Sequence, residues 1–277
     1  MQREIDKMSK IAKTAIISPK AEIGKGVEIG EFCVIGDHIK LNDGVKLHNN
    51  VTLQGLTFIG KNTEIFPFAV LGTQPQDLKY KGEYSELIVG EDNLIREFCM
   101  INPGTEGGIK KTLIGDKNLL MAYVHVAHDC VIGNHCILAN GVTLAGHIEI
   151  GDYVNIGGLT AIHQFVRIAK GCMIAGKSAL GKDVPPYCTV EGNRAFIRGL
   201  NRHRMRQLLE SKDIDFIHAL YKRLFRPVPS LRESAKLELE EHANNPFVKE
   251  ICSFILESSR GVAYKSSEYS SEEKQEE

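Results

Sequence analysis

The chain has 277 residues, 43% hydrophobic and 25% charged, which allows a buried core and excludes a disordered polyelectrolyte. Lys and Arg total 34 against 35 Asp and Glu, so a net charge of −1 excludes bulk electrostatics as a handle for nucleic acid. No run approaches the roughly eighteen apolar residues of a membrane span, and the start MQREIDKMSK lacks a signal peptide's apolar stretch. A cytoplasmic protein is expected, and seven Cys without a CxxC pair suit reduced thiols.

Residues 1–10 read as an extension and start, with Met8 opening MSKIAKTA. Every sixth residue is then aliphatic: Ile11, Ile17, Ile23, Ile29, Ile35, Leu41, Leu47, Leu53, Ile59, Ile65 and Leu71. The phase resumes at Val89, Ile95 and Ile101, is reset, and runs from Ile114 to Leu180. Gly often follows the aliphatic marker, as at Gly24, Gly60, Gly90 and Gly133, and a small or β-branched residue comes four places after it. A period of six fits neither a helix nor a continuous strand; it fits short strands broken by corners. Three sides make a triangular coil of eighteen residues, stacked at roughly 4.8 Å per coil. The Gly after each marker is expected to permit the tight corner backbone. Cys33, Cys99, Cys130, Cys136 and Cys172 fall at inward positions and read as packing. Cys188 and Cys252 lie outside the repeats, with no sign of reactivity.

Two polar or Gly-rich segments leave the coil, 73–87 (TQPQDLKYKGEYSEL), which keeps the count of eighteen, and 102–112 (NPGTEGGIKKT), which shifts the phase. The predicted solenoid spans 11–190, with the repeat stopping at Asp183-Val184-Pro185-Pro186. Helices are predicted over 198–211, 213–225, 230–243 and 247–259 within a helical domain of 191–262, followed by a disordered acidic tail, 263–277. The first helical stretch is basic, with Arg194, Arg198, Arg202, Arg204, Arg206, Lys212, Lys222, Arg223 and Arg226 against Glu210, Asp213 and Asp215. It reads as a solvated face or a docking surface for an acidic partner or phosphate.

Positions eighteen apart should stack. His128 then lies under Gly146 and Gln164, and Asp129 under His147, with His125 and His163 beside them. Four of the ten His gather on one edge of the prism. A side-by-side His-Asp pair suits a general base whose tautomer the carboxylate holds. The Gly146 N–H could face an oxyanion. No Ser or Cys completes a nucleophile pair, which favours direct transfer over a covalent intermediate. The His spacing does not match the zinc sites of carbonic-anhydrase-type hexapeptide proteins.

The segments IGGLTAIHQF, NLLMAYVHVAHDC, ILANGVTLAGH, GTQPQDLKY and KDVPPY resemble the motifs of the UDP-N-acetylglucosamine O-acyltransferases, hexapeptide-repeat enzymes of lipid A synthesis, over residues 8–262. The resemblance implies a left-handed parallel β-helix with a C-terminal helical domain, assembled as a homotrimer with sites between subunits. It implies transfer of a 3-hydroxyacyl group from acyl carrier protein to the 3-hydroxyl of UDP-N-acetylglucosamine, without metal or cofactor. His128 matches the general base, Asp129 its orienting partner and Gly146 the oxyanion amide. Asp77 and Lys79, with Gln76 beside them, match sugar and acyl contacts. His125, His147, Gly158, His163 and Gln164 match the acyl-sugar pocket, and Asn201 a nucleotide contact, with Arg206 the nearest basic candidate for the phosphate. Gly176 matches the end of the acyl groove, near which Arg194 replaces a His. Asn102-Pro103 stands where the family often has His-Arg. A related N-acyltransferase acting on an amino sugar and a non-catalytic scaffold are the alternatives.

Overall fold

The computed structural model describes residues 9–226 and 229–264; most of the expected extension and acidic tail lies outside them. The chain is a left-handed parallel β-helix followed by a helical region. Among the described residues, its three faces carry eleven, nine and eight strands, mostly of two residues. The eighteen-residue register holds from the first coil, where Lys10 pairs Glu28 and Ile16 pairs Val34. Markers such as Leu53, Ile65, Leu120 and Leu144 are fully buried and fill the prism with aliphatic columns. Burying one such side chain contributes about 1.5–3 kcal/mol. All seven Cys are free and buried, and burial pushes the Cys99, Cys130, Cys136, Cys188 and Cys252 thiols up to about 12.

The corner expectation needs correction. The Gly directly after a marker has ordinary backbone angles except at Gly72, where the first excursion leaves, whereas at most corners the residue three places after the marker is left-handed. That residue is Gly26 or Gly44 on one column but Phe68, Phe98, Tyr123 or Asp129 elsewhere, with φ between 59 and 72°. The Gly after the marker is required by close approach instead. A Cβ on Gly60 would sit 2.3 Å from the Gly90 carbonyl, directly on the next coil's backbone.

Segment 73–87 keeps the count of eighteen for a different reason than a degraded coil. Leu71 pairs with Ile101, thirty positions on rather than eighteen, so twelve residues, two full repeats, bulge out. Val89 pairs with Ile114, twenty-five positions on, so the second excursion inserts seven residues and shifts the phase. Both leave from the same edge, between the nine-stranded and eight-stranded faces.

At the C-terminal end, the strand Phe196–Leu200 pairs antiparallel with Cys188–Glu191, where the sequence pattern suggested that a helix begins. Asn201 caps the first helix by accepting from the Arg204 N–H, so helix α1 is Arg202–Leu208. Helices α2 (Ser211–Leu224), α3 (Leu231–Glu241) and α4 (Pro246–Glu257) follow, α4 starting one residue early because Asn245 caps it and Pro246 suits the first helical position. Ala263 and Tyr264, expected in the tail, are packed in: Ala263 N donates to Asp183 O and Tyr264 Oη to Phe225 O. No helix among the described residues is long and apolar enough to cross a membrane.

Gly60→Ala is expected to cost about 1–3 kcal/mol, seen as a lower thermal midpoint. Gly181→Ala, whose Cβ meets nothing within 4 Å, should leave the midpoint almost unchanged.

Candidate active site

The strand His125–Val126 ends at a corner formed by residues 127–130. Asp129 occupies the left-handed position there, φ 59°, a conformation Asp tolerates better than most residues. Its side chain is fully buried, and His128 Nδ1 lies 2.8 Å from Asp129 Oδ2. Thr105, from the second excursion, donates its hydroxyl to Oδ2 at 2.7 Å and its N–H to both oxygens at 3.1 and 3.2 Å. Burial alone would raise the Asp129 carboxyl, but the bonds from His128 and Thr105 outweigh it and hold the carboxyl below its usual range. A carboxylate only accepts, so His128 Nδ1 carries a hydrogen, and in the neutral imidazole Nε2 is then the nitrogen with the lone pair. Nε2 faces Asp77, 4.0 Å away.

One coil further, Gly146 lies over the His128 ring so closely that a Cβ would sit 2.7 Å from it. The Gly146 N–H has no hydrogen-bond partner among the described residues. His147 N donates to His128 O, and its ring stands edge-on to His128 at 4.9 Å and stacks on Phe165 at 4.4 Å. Burial lowers the His147 pKa, with Asp129 pulling the other way; burial also lowers that of His125. Around these groups opens a cleft of about 800 Å³, lined among others by Gln76, Asp77, Lys79, Thr105, His128, His147, Gln164 and Phe165. Asp77 Oδ1 accepts from Lys79 N at 3.0 Å, which shapes the loop that carries both.

The stacking arithmetic brings together His128, Asp129, Gly146, His147 and Gln164, with Gln76, Asp77 and Lys79 descending from the first excursion. His125 is on the adjoining nine-stranded face, paired with Met100 and Thr143, rather than at the corner. His163 is exposed, with its ring near the Gln164 carbonyl. Gly158 and Gly176 stack on each other at a different edge, where a Gly176 Cβ would meet Gly158 O at 3.2 Å. The exposed Arg194 lies in the hairpin turn whose Ala195 N–H is bonded to Ala179 O. Asn201 sits at the third edge, its side chain donating to Gly171 O at 2.9 Å, and Arg206 is exposed on α1. Thr105 and Phe165 escaped the sequence reading. Phe165 is eighteen beyond His147 and could have been found by register, whereas Thr105 sits in an excursion that breaks it.

His128, Asp129 and His147 also present three possible ligand atoms within 4.8 Å of one another. His128 and Asp129 stand at hydrogen-bond distance and His147 Nδ1 is 4.0 Å from Asp129 Oδ2; an ion bound by His128 Nδ1 and Asp129 would require breaking their hydrogen bond.

A family model described as UDP-N-acetylglucosamine O-acyltransferase, domain 2, matches residues 183–263, and one for bacterial transferase hexapeptide repeats matches 20–55 and 111–146. An acyl-(acyl-carrier-protein)–UDP-N-acetylglucosamine O-acyltransferase of Helicobacter pylori strain J99 is 97% identical over 270 residues, 98% of this chain and 100% of that relative. The chain belongs to this acyltransferase family. A crystal structure of a UDP-N-acetylglucosamine acyltransferase, 96% identical, superposes with a TM-score of 0.92 over 93% of this chain and 100% of its own. The Campylobacter jejuni UDP-N-acetylglucosamine acyltransferase, 42% identical, gives 0.88 over 92% and 100%.

Gly146→Ala should push the imidazole of His128 off Asp129 while the coil persists. Nitrogen-15 NMR of the imidazoles checks this: the Nδ1–H signature of His128 should weaken in the variant.

Proposed function

We propose that this acyltransferase moves a 3-hydroxyacyl group from acyl carrier protein to the 3-hydroxyl of UDP-N-acetylglucosamine, the first step of lipid A synthesis, with His128 as general base. The observation that supports this reading is a single one: His128 commits Nδ1 to a buried carboxylate and presents Nε2 in a cleft, beneath the unpartnered Gly146 N–H. In the proposed step, Nε2 takes the proton of the sugar hydroxyl as its oxygen bonds to the thioester carbonyl carbon. The oxyanion is held by the Gly146 N–H, the C–S bond breaks, and the imidazolium returns the proton to the leaving thiolate. Asp129 keeps its negative charge throughout and stabilises the imidazolium. No covalent enzyme intermediate is needed.

Gln76, Asp77, Lys79, His147 and Gln164 line the same cleft and are assigned to the sugar and acyl groups; His125 and His163, outside its lining, are assigned to the same pocket by resemblance alone. Asn201 and Arg206 are assigned to the nucleotide and its phosphate. Since the Asn201 side-chain Oδ1 already accepts from Arg204 N, its contribution is in part to set where α1 begins and hence where Arg206 sits. The exposed Arg202, Arg206 and Lys222 offer a basic surface to the carrier protein. Gly158, Gly176 and Arg194 are assigned to the acyl groove.

These three groups of residues occupy three different edges of one prism, and a homotrimer with sites between copies would let them converge. A stacked apolar ridge supports this: Phe68, Phe98 and Tyr123 lie 5.1 and 4.9 Å apart in sequence along one edge, 45–62% exposed in a single copy. A mass of one chain by light scattering would refute the trimer.

His128→Ala should keep the fold and lose about 10²–10⁴-fold in turnover, measured as acylated UDP-N-acetylglucosamine formed from the carrier thioester. Near-normal turnover would remove His128 from the mechanism. Gly176→Met should shift donor preference toward shorter chains, each lost methylene being worth about 0.8 kcal/mol. An unchanged ranking of competing thioesters would show that Gly176 is not the ruler.

A further inference from the structure

The buried Asp129 carboxylate has two imidazoles within reach. His128 Nδ1 is 2.8 Å from Oδ2 and His147 Nδ1 is 4.0 Å from the same atom. A modest rotation of the carboxylate would exchange one partner for the other. What opposes that rotation comes from the second excursion. Thr105 holds Oδ2 through its hydroxyl at 2.7 Å and grips both oxygens through its N–H. Behind it, Gly108 packs so tightly that a Cβ would lie 2.2 Å from Asp129 Cγ. The excursion is itself held: the Glu83 carboxylate accepts from Lys81 N at 2.7 Å and from Glu106 N, next to Thr105, at 3.1 Å. The loop carrying Asp77 and the loop carrying Thr105 are thereby joined over the dyad.

We propose that Thr105 is a positioning residue that makes Asp129 serve His128 rather than His147, and so keeps the proton on His128 Nδ1 and the lone pair on Nε2. The proposal rests on the general-base reading above and deepens it. Thr105 touches no reacting atom; it acts through the carboxylate. Its side chain is a donor in a site where the carboxylate can only accept, so Ser can replace it and Val, of nearly the same shape, cannot.

The experiment compares Thr105→Val and Thr105→Ser in the full-length protein. Val should lower kcat about ten-fold, the size of one lost hydrogen bond to a charged group, with KM for both substrates within about two-fold. Ser should restore most of the loss. In an Asp129→Ala background, Thr105→Val should add nothing, because the group it positions is gone. Nitrogen-15 NMR should show His128 protonated at Nδ1 in the wild type, and a loss of that signature in the Val variant. Wild-type kcat in the Val variant, failure of Ser to restore it, or an undiminished extra loss in the Asp129→Ala background would each overturn the proposal. Should the Val variant fail to fold, wild-type spectra still decide: His128 protonated at Nε2 refutes the clamp. If instead His128→Ala stays active, the base reading falls, while the NMR comparison still reports whether Thr105 sets the tautomer.

Discussion

A backbone N–H on one coil reaches a carbonyl on the next, as Lys10 N does to Val27 O and Glu28 N to Val45 O, both at 2.9 Å. Repeated around three faces, this bond ties residues eighteen apart into vertical columns. The columns bury the aliphatic markers on the inside and leave every other side chain on a predictable strip of surface. They also force adjacent backbones to about 4.8 Å, and that spacing excludes a Cβ at Gly60 or Gly90. Core packing and surface chemistry are both set by the one ladder.

A corner in such a ladder costs one left-handed residue per turn, and most corners accept Phe, Tyr, Asn or Lys there. At the candidate site the same position holds Asp129 and then His147, so a backbone requirement of the fold also aims two titratable groups at one strip. A carboxylate with no exposed surface would be destabilising if left unpaired. Here it receives donors from His128 and Thr105, and the desolvation that would neutralise it is outweighed.

The two excursions show how a rigid scaffold acquires a cleft. Each leaves from the same edge, one after Leu71 and one after Ile101, and each returns to the ladder in register. Twelve and seven inserted residues disturb nothing inside the prism because the strands on either side keep their markers. Glu83 then joins the excursions to each other, which gives the cleft a wall more rigid than two separate loops would provide.

Much of this was determined by sequence alone, because the ladder converts spacing along the chain into position in space. The six-residue markers give the coil, the inward Cys, and the stacking of Gly146 over His128 and of His147 over Asp129. The helices were legible from their Pro and Asn stops, though not the strand at Phe196–Leu200, which pairs antiparallel with Cys188–Glu191. Where register breaks, spacing says nothing. Thr105 has no neighbour eighteen away, so its grip on Asp129 depends on how a Gly-rich excursion folds back, which only tertiary contacts decide. Likewise, a residue's edge follows from its phase, but Gly158, Gly176 and Asn201 lie on edges that one prism cannot bring together with His128, since a triangular solid keeps its corners apart.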